Sequence, residues 1–346
     1  MKKKVSVVVP CYNAARYLKK CIEYLLCQTI GIENMEVILV DDASTDDGET
    51  WKVITEFEAR YPDSILAVSL GQNMRQGGAR NVGVSYASGE YLVFCDADDW
   101  LLEETLEHCY DAAEKYNADV VEFLIKNIND HESFVGLEKA GESYLIELDT
   151  EKQRKGFLLD TSVQLSLGSQ KKLYRLSLIQ ENHIKFVEHR IFEEPSFMLP
   201  VRLYEKRHYF LNEYLYICYL SLDSTVRGEW GEHKWDNPKV WMHIMEELTE
   251  RHSLEKYYEE LEYLFFRHGF SLSVRMAVQK GYVLAKEELE FLVNMMLRQF
   301  PDVRDNQYVR SDVSNRTWLR LMITLLDLNF TEESVQVVNE MLRKYV

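Results

Sequence analysis

Positive charge is scarce in this sequence of 346 residues. Lysine and arginine together number 40 against 57 aspartates and glutamates, which gives a formal net charge of -17 at pH 7. The one basic cluster is formed by Lys2, Lys3 and Lys4. A protein that binds a nucleic-acid duplex needs a basic stripe that displaces counterions, and the sequence has none. The composition therefore argues against a nucleic acid as partner.

Long apolar runs and paired-cysteine motifs are missing as well. The apolar segment after the amino-terminal lysines, 5–9, is too short for the core of a signal peptide or for a membrane span. The six cysteines show no C-x-x-C spacing, which is typical of reduced core thiols and not of zinc ligands. We therefore expect a soluble cytoplasmic protein, and peripheral contact with the inner face of the cell membrane stays open.

The length of the chain favours two domains. Apolar strand-like segments alternate with helical patterns through the first part of the sequence, which predicts a mostly parallel sheet with right-handed crossovers. From about Gly231 onwards only helical periodicity is found, and Thr331 is expected to cap the last helix. We predict an α/β domain over 1–230 and an all-α domain over 231–346. The helical domain could support a homodimer, bind an acceptor or rest on a membrane.

A glycine-rich segment, 71–83, follows the third predicted strand and is expected to form a loop. Its spacing matches neither the Walker nor the dinucleotide fingerprint. Gly77, Gly78 and Gly83 would let backbone amides approach an anion, and Arg80 could offer its guanidinium to a phosphate. In the alternative interpretation, the glycines serve a tight turn and Arg80 pairs with a nearby acid.

Three carboxylates end the fourth predicted strand, at Asp96, Asp98 and Asp99. In open α/β sheets ligands bind outside the carboxyl ends of the strands, and an extended chain would point Asp96 and Asp98 to the same side. Two such charges repel by about 3 to 4 kcal/mol at an effective dielectric of about 20, which favours a bound cation or proton between them. Oxygen ligands favour magnesium, manganese or calcium over zinc. The alternative is that Asp98 and Asp99 cap the next helix in solvent.

Four segments of the first hundred residues resemble the family 2 glycosyltransferases, bacterial enzymes with the GT-A fold. A looser resemblance extends to about residue 225, and the helical region is not covered. The resemblance implies a mixed central sheet with flanking helices. The four segments are Val-Val-Val-Pro-Cys-Tyr-Asn at 7–13, Leu-Val-Asp-Asp-Ala-Ser-Thr-Asp at 39–46, Gly-Ala-Arg-Asn-Val-Gly at 78–83, and 89–100, which contains Asp-Ala-Asp-Asp-Trp.

The same resemblance implies a nucleotide-sugar site. Asp42 would accept a hydrogen bond from the base, commonly uracil, and Arg80 would lie near the base or the diphosphate. Asp98, with Asp96, would hold the Mn²⁺ or Mg²⁺ that bridges the diphosphate. The implied nucleotide-binding residues are Pro10, Tyr12, Asn13, Asp42, Arg80, Asp96 and Ala97.

A catalytic base is implied at an acidic pair further along the chain. Similar enzymes usually carry Glu-Asp where this sequence has Glu193-Glu194, so Glu194 is the first candidate and Glu193 the second. Pro195 is expected to hold Glu194 in extended backbone. The usual Trp-Asn before Lys-Leu-Tyr is also replaced, by Gln170 and Lys171. A solvated acidic turn is the alternative interpretation of the pair.

These residues lead to three hypotheses. The first is an inverting, metal-dependent glycosyltransferase that moves a sugar from a UDP-sugar to a hydroxyl of a glycan, lipid-linked or glycoprotein acceptor in bacterial surface-glycan synthesis. The second is a catalytically inactive nucleotide-binding scaffold subunit of a glycosyltransferase complex. The third is a nucleotidyltransferase, which is disfavoured because no basic glycine-rich phosphate loop follows Val9.

Overall fold

The computed structural model describes residues 2–129, 137–159, 167–220, 231 and 233–345. The chain folds into two compact units. The first unit contains the described residues up to 157 and 167–220, and the second contains 158, 159, 231 and 233–345. The predicted boundary between residues 230 and 231 adjoins the stretch 221–230, which lies outside the described residues, and it stays a prediction.

A mixed sheet forms the centre of the first unit. The strand order is β3-β2-β1-β4-β9-β6-β10-β5, and β7 and β8 pair with β10. β1 to β4 run parallel where they pair, and β9 lies antiparallel between β4 and β6. In the described residues the strands are β1 (Val5–Cys11), β2 (Met35–Asp41), β3 (Ile65–Ser69), β4 (Tyr91–Phe94), β5 (Trp100–Leu101), β6 (Val120–Ile128), β7 (Glu138–Lys139), β8 (Tyr144–Glu147), β9 (Lys172–Arg175) and β10 (Arg207–Tyr219).

Helices cover both faces of this sheet. Every residue of β1 and β4 is buried, as expected for strands with helices on both sides. Val7 belongs to one apolar cluster with Leu18, whereas Val8 belongs to another with Phe197, because successive side chains point to opposite faces. In the described residues the helices are α1 (Ala15–Leu26), α2 (Glu49–Arg60), α3 (Arg75–Tyr86), α4 (Thr105–Tyr116), α5 (Glu151–Leu159), whose last two residues are counted with the second unit, α6 (Leu176–Glu181) and α7 (Glu194–Tyr204). The predicted α/β class with flanking helices is confirmed.

The glycine-rich segment is mostly helix, so the predicted loop over 71–83 is wrong from Arg75 onwards. A Cβ on Gly83 would overlap Val8 Cγ1 of β1, and a Cβ on Gly77 would lie 2.6 Å from the carbonyl oxygen of Val187. These glycines therefore allow the backbone of α3 to approach its neighbours closely, and the helix forms despite their low helix propensity.

The described residues of the second unit contain helices joined by turns, and no strand. Thr331 caps the last helix, because its hydroxyl oxygen accepts a hydrogen bond from the Ser334 amide at 3.2 Å, as predicted. Trp241 is fully buried in the core of this unit. A π-helical segment, Phe265–Ser271, joins α10 to α11. The helices are α8 (Asp236–Glu250), α9 (Ser253–Lys256), α10 (Tyr258–Leu264), α11 (Leu272–Gln279), α12 (Lys286–Gln299), α13 (Gln307–Asn315), α14 (Thr317–Leu325) and α15 (Glu332–Arg343). Over the parts of the chain that the structure describes, no helix is both long and apolar enough to cross a bilayer.

Candidate active site

The turns after β1 and β2 meet at the carboxyl edge of the sheet. Asn13 joins them, because its backbone amide donates to Ser44 Oγ at 2.9 Å and its side-chain Oδ1 accepts from the Thr45 backbone amide at 2.7 Å. Pro10 is buried near the end of β1, and Tyr12 is 46% exposed beside the turn. The edge thus presents an accessible aromatic ring on a backbone that is fixed by hydrogen bonds.

Asp42 follows β2 directly and is buried. Its Oδ1 accepts a hydrogen bond from the Met74 amide at 2.6 Å, and its carbonyl accepts one from the Asn73 side chain at 3.2 Å. Burial raises the pKa of Asp42 to about 6, although backbone donors at Met74 and Arg75 act in the opposite direction. Asp42 is therefore ionised at neutral pH and becomes a weaker acceptor as the pH falls through about 6.

Arg80 forms ion pairs with Asp96, which follows β4, and with Glu193, which precedes α7. Its guanidinium is fully buried and donates to Asp96 Oδ1 at 2.8 Å and to Glu193 Oε1 at 2.7 Å. Burial alone would lower the pKa of Arg80, but the two carboxylates outweigh it and raise that pKa well above its ordinary value. The pKa of Glu193 is about 7, because burial raises it more than Arg80 lowers it. Asp96, Arg80 and Glu193 form one ion-paired bridge.

Tyr216 of β10 organises the loop that carries the three aspartates. Its hydroxyl accepts a hydrogen bond from the Asp96 amide at 3.1 Å and donates to Asp99 Oδ2 at 2.8 Å. Burial and the charges of Asp96 and Asp98 raise the pKa of Asp99 to about 8. Ala97 is 7% exposed within this loop. The carboxylate of Asp99 therefore points into the protein, whereas that of Asp98 could contact a ligand at the site.

The chemistry of Asp98 suits a hard divalent cation. Burial first, and the charge of Asp96 second, raise the pKa of Asp98 to about 6. No other side chain in the described part of the chain donates a hydrogen bond or forms an ion pair to this carboxylate. A cation here would remove the repulsion between Asp98 and Asp96, and carboxylate oxygens are its preferred ligands.

Asp96 is less available to a cation than Asp98. Its Oδ1 accepts from Arg80 and its Oδ2 accepts from Gln170 Nε2 at 2.8 Å. Within the described ranges, no group of three or more histidine, cysteine or acidic side chains forms a complete cation site. Asp98 is therefore the carboxylate of this loop that is more open to a cation, and a complete cation site would need ligands from outside the described residues.

The acidic pair occupies the start of α7. Glu193 is buried and ion-paired, whereas Glu194 is half-buried and accepts from the amide and the hydroxyl of Ser169 at 2.9 and 3.0 Å. The expectation that Pro195 would hold Glu194 in extended backbone is wrong, because Glu194 is the first residue of the helix. Proline is tolerated in the first turn, where no backbone N–H has to donate within the helix.

Strained backbone marks several turns of this region. Ten described residues other than glycine have φ between 47° and 64°, a range that residues with a Cβ seldom adopt, and five of them belong to the site or directly adjoin it. These five lie after β1, β2 and β3, before β9 and before α7, and they are Asn13, Ala43, Arg75, Lys171 and Phe192. Such strain is kept mainly where function requires a particular geometry.

Three residues of the site were not predicted from the sequence. Ser169 and Gln170 lie in a polar segment without periodicity, and Tyr216 lies in a strand with several tyrosines. The replacement of Trp-Asn by Gln170 and Lys171 was the one available signal, and it pointed to this segment without giving its contacts.

Comparison with known proteins identifies the family. Residues 6–176 match the model for glycosyl transferase family 2. The glycosyltransferase GlyG of Streptococcus pneumoniae is 30% identical over 244 residues, which are 66% of this chain and 75% of that protein. The chain belongs to glycosyltransferase family 2. The match to the family 2 model includes Asp42, Arg80 and Asp98 and ends before the acidic pair of α7.

Two further similarities extend this result. The poly(ribitol-phosphate) β-glucosyltransferase of Bacillus spizizenii is 29% identical over 231 residues, which are 66% of this chain and 33% of that protein. The chain thus spans about a third of the length of this relative. The crystal structure of Staphylococcus aureus TarS 1–349 in complex with UDP-GlcNAc has a TM-score of 0.67 and 23% identity, and it covers 99% of this chain and 92% of that chain. The predicted GT-A fold is confirmed.

Proposed function

We propose that this family 2 protein is an inverting, metal-dependent glycosyltransferase that moves a sugar from a UDP-sugar to an acceptor hydroxyl. The observation that carries the proposal is the bridge from Asp96 through Arg80 to Glu193. This bridge links the loop that carries Asp98 to Glu193. Asp98 is the candidate ligand for a cation and its diphosphate, and Glu193 directly precedes Glu194, the candidate base. Donor activation and proton removal would then occur on either side of one buried arginine.

Glu194 is the better candidate for the base. Both hydrogen bonds from Ser169 go to its Oε1, and no donor to its Oε2 is found among the described residues. Glu193 is 4% exposed and its Oε1 accepts from Arg80. A base has to reach the hydroxyl that it deprotonates, so the half-buried side chain with an open oxygen fits the role.

The reaction would be a single displacement. The acceptor oxygen would attack the anomeric carbon on the face opposite the diphosphate, while Glu194 takes the proton of the acceptor hydroxyl. The bond from the anomeric carbon to the diphosphate oxygen would break, and UDP would leave with the electron pair. Asp98, assisted by Asp96, would hold a Mn²⁺ or Mg²⁺ whose charge stabilises the developing charge on that oxygen.

The remaining nucleotide contacts would come from the first two strands. Asp42 would accept a hydrogen bond from the base of the nucleotide, and Tyr12 would provide an exposed aromatic surface beside it. The TarS complex with UDP-GlcNAc supports a UDP-sugar as donor. Pro10, Asn13 and Ala97 would shape the pocket through the backbone.

The acceptor would belong to a bacterial surface glycan. The name of the B. spizizenii relative, a poly(ribitol-phosphate) β-glucosyltransferase, supports a cell-surface polymer as the acceptor class. A lipid-linked or glycoprotein acceptor belongs to the same proposal. A cytoplasmic location, peripheral contact with the membrane and a homodimer through the helical region stay predictions, as does the absence of a nucleic-acid partner.

UDP release tests the proposal directly. The full chain would be incubated with UDP-GlcNAc, UDP-glucose or UDP-galactose, with Mn²⁺ or Mg²⁺, and with poly(ribitol phosphate), a lipid-linked saccharide or a glycopeptide. We expect turnover with at least one pair, and removal of the cation with EDTA should abolish it.

Two variants complete the test. Glu194→Gln should lose about 10²- to 10⁴-fold in kcat while it still binds UDP, and Glu193→Gln should lose less if its role is to pair with Arg80. Glu181→Gln, an exposed glutamate on α6, serves as control. Metal-dependent UDP binding without turnover over the whole panel would contradict the proposal and favour the inactive scaffold subunit.

A further inference from the structure

Ser169 makes an unusual pair of contacts with the acidic residue at the start of α7. Its amide N–H and its hydroxyl both donate to the same atom, Glu194 Oε1, at 2.9 and 3.0 Å. Ser169 is fully buried, and the carboxylate is the one acceptor that its hydroxyl has among the described residues. A proton on Oε1 would compete with these two donors, so a proton taken up by Glu194 binds more favourably to Oε2.

The segment that carries Ser169 is hydrogen-bonded to side chains of the sheet. The carbonyl of Ser169 accepts from the Tyr174 hydroxyl at 2.8 Å, and the carbonyl of Gly168 accepts from Lys172 Nζ at 2.7 Å. Tyr174 and Lys172 are both fully buried on β9, next to β4 in the sheet. Ser169 therefore has a fixed position relative to the strand that leads to the aspartate loop.

A glutamate at this position needs such support. Its side chain has three rotatable torsions, and it is half-buried, so packing alone leaves it several rotamers. Two hydrogen bonds to one oxygen define where the second oxygen points. Positioned groups of this kind lose large factors in rate when the reacting atoms are displaced by about 1 Å.

We propose that Ser169 is a positioning residue that fixes Glu194 so that its Oε2 faces the acceptor hydroxyl. This inference rests on the proposed function, in which Glu194 is the base. The Ser169 hydroxyl donates to Glu194, so Ser169 would act through Glu194 and not directly on the substrate. The proposal also gives the two carboxylate oxygens of Glu194 separate roles, since Oε1 is held by Ser169 and Oε2 receives the proton.

The test compares Ser169→Ala with Ser169→Thr. The alanine variant removes the hydroxyl bond and keeps the amide bond, so we expect kcat to fall about 10- to 100-fold while the KM for the donor stays within about twofold. Threonine keeps the hydroxyl and should recover kcat to within about threefold. UDP release would be followed with the donor and acceptor pair that the wild-type protein turns over fastest, and Ser177→Ala, an exposed serine of α6, is the matched control.

A readout that does not depend on turnover accompanies the kinetics. The crystal structure of Ser169→Ala should show Glu194 in more than one rotamer, with β9 and α7 unchanged. A single unchanged rotamer, an alanine variant within about twofold of wild-type kcat, or failure of threonine to recover kcat would overturn the positioning role. If the wild-type protein transfers no sugar, the proposed function fails first, and the role of Ser169 falls with it.

Discussion

The buried bridge of Arg80 makes a quantitative prediction. In Arg80→Met the side chain keeps most of its volume, but Asp96 and Glu193 lose their shared positive charge. Removing one partner of a buried ion pair costs about 3 to 5 kcal/mol, because a charge stays buried without compensation. The side chains of Arg80, Glu193 and Asp96 are 0%, 5% and 15% exposed, so little solvent screening reduces this figure. We expect a loss of about 4 kcal/mol in the free energy of unfolding near pH 8.

The penalty should depend on pH in a defined direction. The folded pKa of Glu193 is about 7, above the ordinary value of 4.5, so its contribution to stability is present at low pH and is lost as pH rises through that pKa. Without Arg80 this pKa rises further, and the variant gains more stability on acidification than the wild type. Between about pH 8 and pH 6 the penalty should shrink by about 1 kcal/mol as Glu193 takes up its proton.

The penalty would be measured by urea denaturation, with hydrogen exchange in peptides from β1 and β4 as the readout. These peptides report on the first unit alone. The double variant Arg80→Met/Glu193→Gln should recover about 2 kcal/mol, since one of the two unpaired charges is gone. Lys52→Met, at an exposed lysine of α2 in the same unit, should change stability by less than about 0.5 kcal/mol. A penalty below about 1 kcal/mol at both pH values would refute the reasoning about the bridge.

Three further predictions concern other parts of the first unit. Asp98→Asn should lower cation-dependent UDP release at least about 100-fold and leave the melting temperature equal or higher, because it removes a carboxylate whose pKa is raised by burial; a lower melting temperature would contradict this. Gly83→Ala should cost about 1 to 3 kcal/mol through overlap with Val8, whereas Gly156→Ala, which meets no atom within 4 Å, should gain about 0.5 to 1 kcal/mol by chemical denaturation. UDP affinity measured by calorimetry should fall as pH drops through about 6, because protonated Asp42 accepts less well, and Asp42→Asn should not show this dependence.

The acidic edge of the sheet could be predicted from the sequence because its signals are local. Strand-forming residues run directly into Asp42 and Asp96, and parallel strands place their carboxyl ends together. The order of four short segments added the family, and the loss of strand signal after 230 predicted the helical region. Each of these inferences needs only residues that are close in sequence.

The contacts that complete the site are distant in sequence, so composition could not reveal them. Arg80 and Glu193 are 113 positions apart, and Gln170 and Asp96 are 74 positions apart. The helical state of α3 was missed because glycine lowers helix propensity, while the close approach of Gly83 to β1 favours a residue without a Cβ. The first turn of α7 tolerates Pro195 for a reason that becomes visible only once the helix start is known.

The placement of β10 has a consequence for how the protein is made. Tyr216 and the Tyr219 amide reach Asp99 across 117 and 120 positions of sequence. During synthesis the first hundred residues therefore leave the ribosome with the aspartate loop lacking its hydrogen-bond partners, and the loop can settle only after β10 has emerged. A shortened chain that stops at the end of the family match, at residue 176, should form β1 to β4 and still leave this loop unsettled.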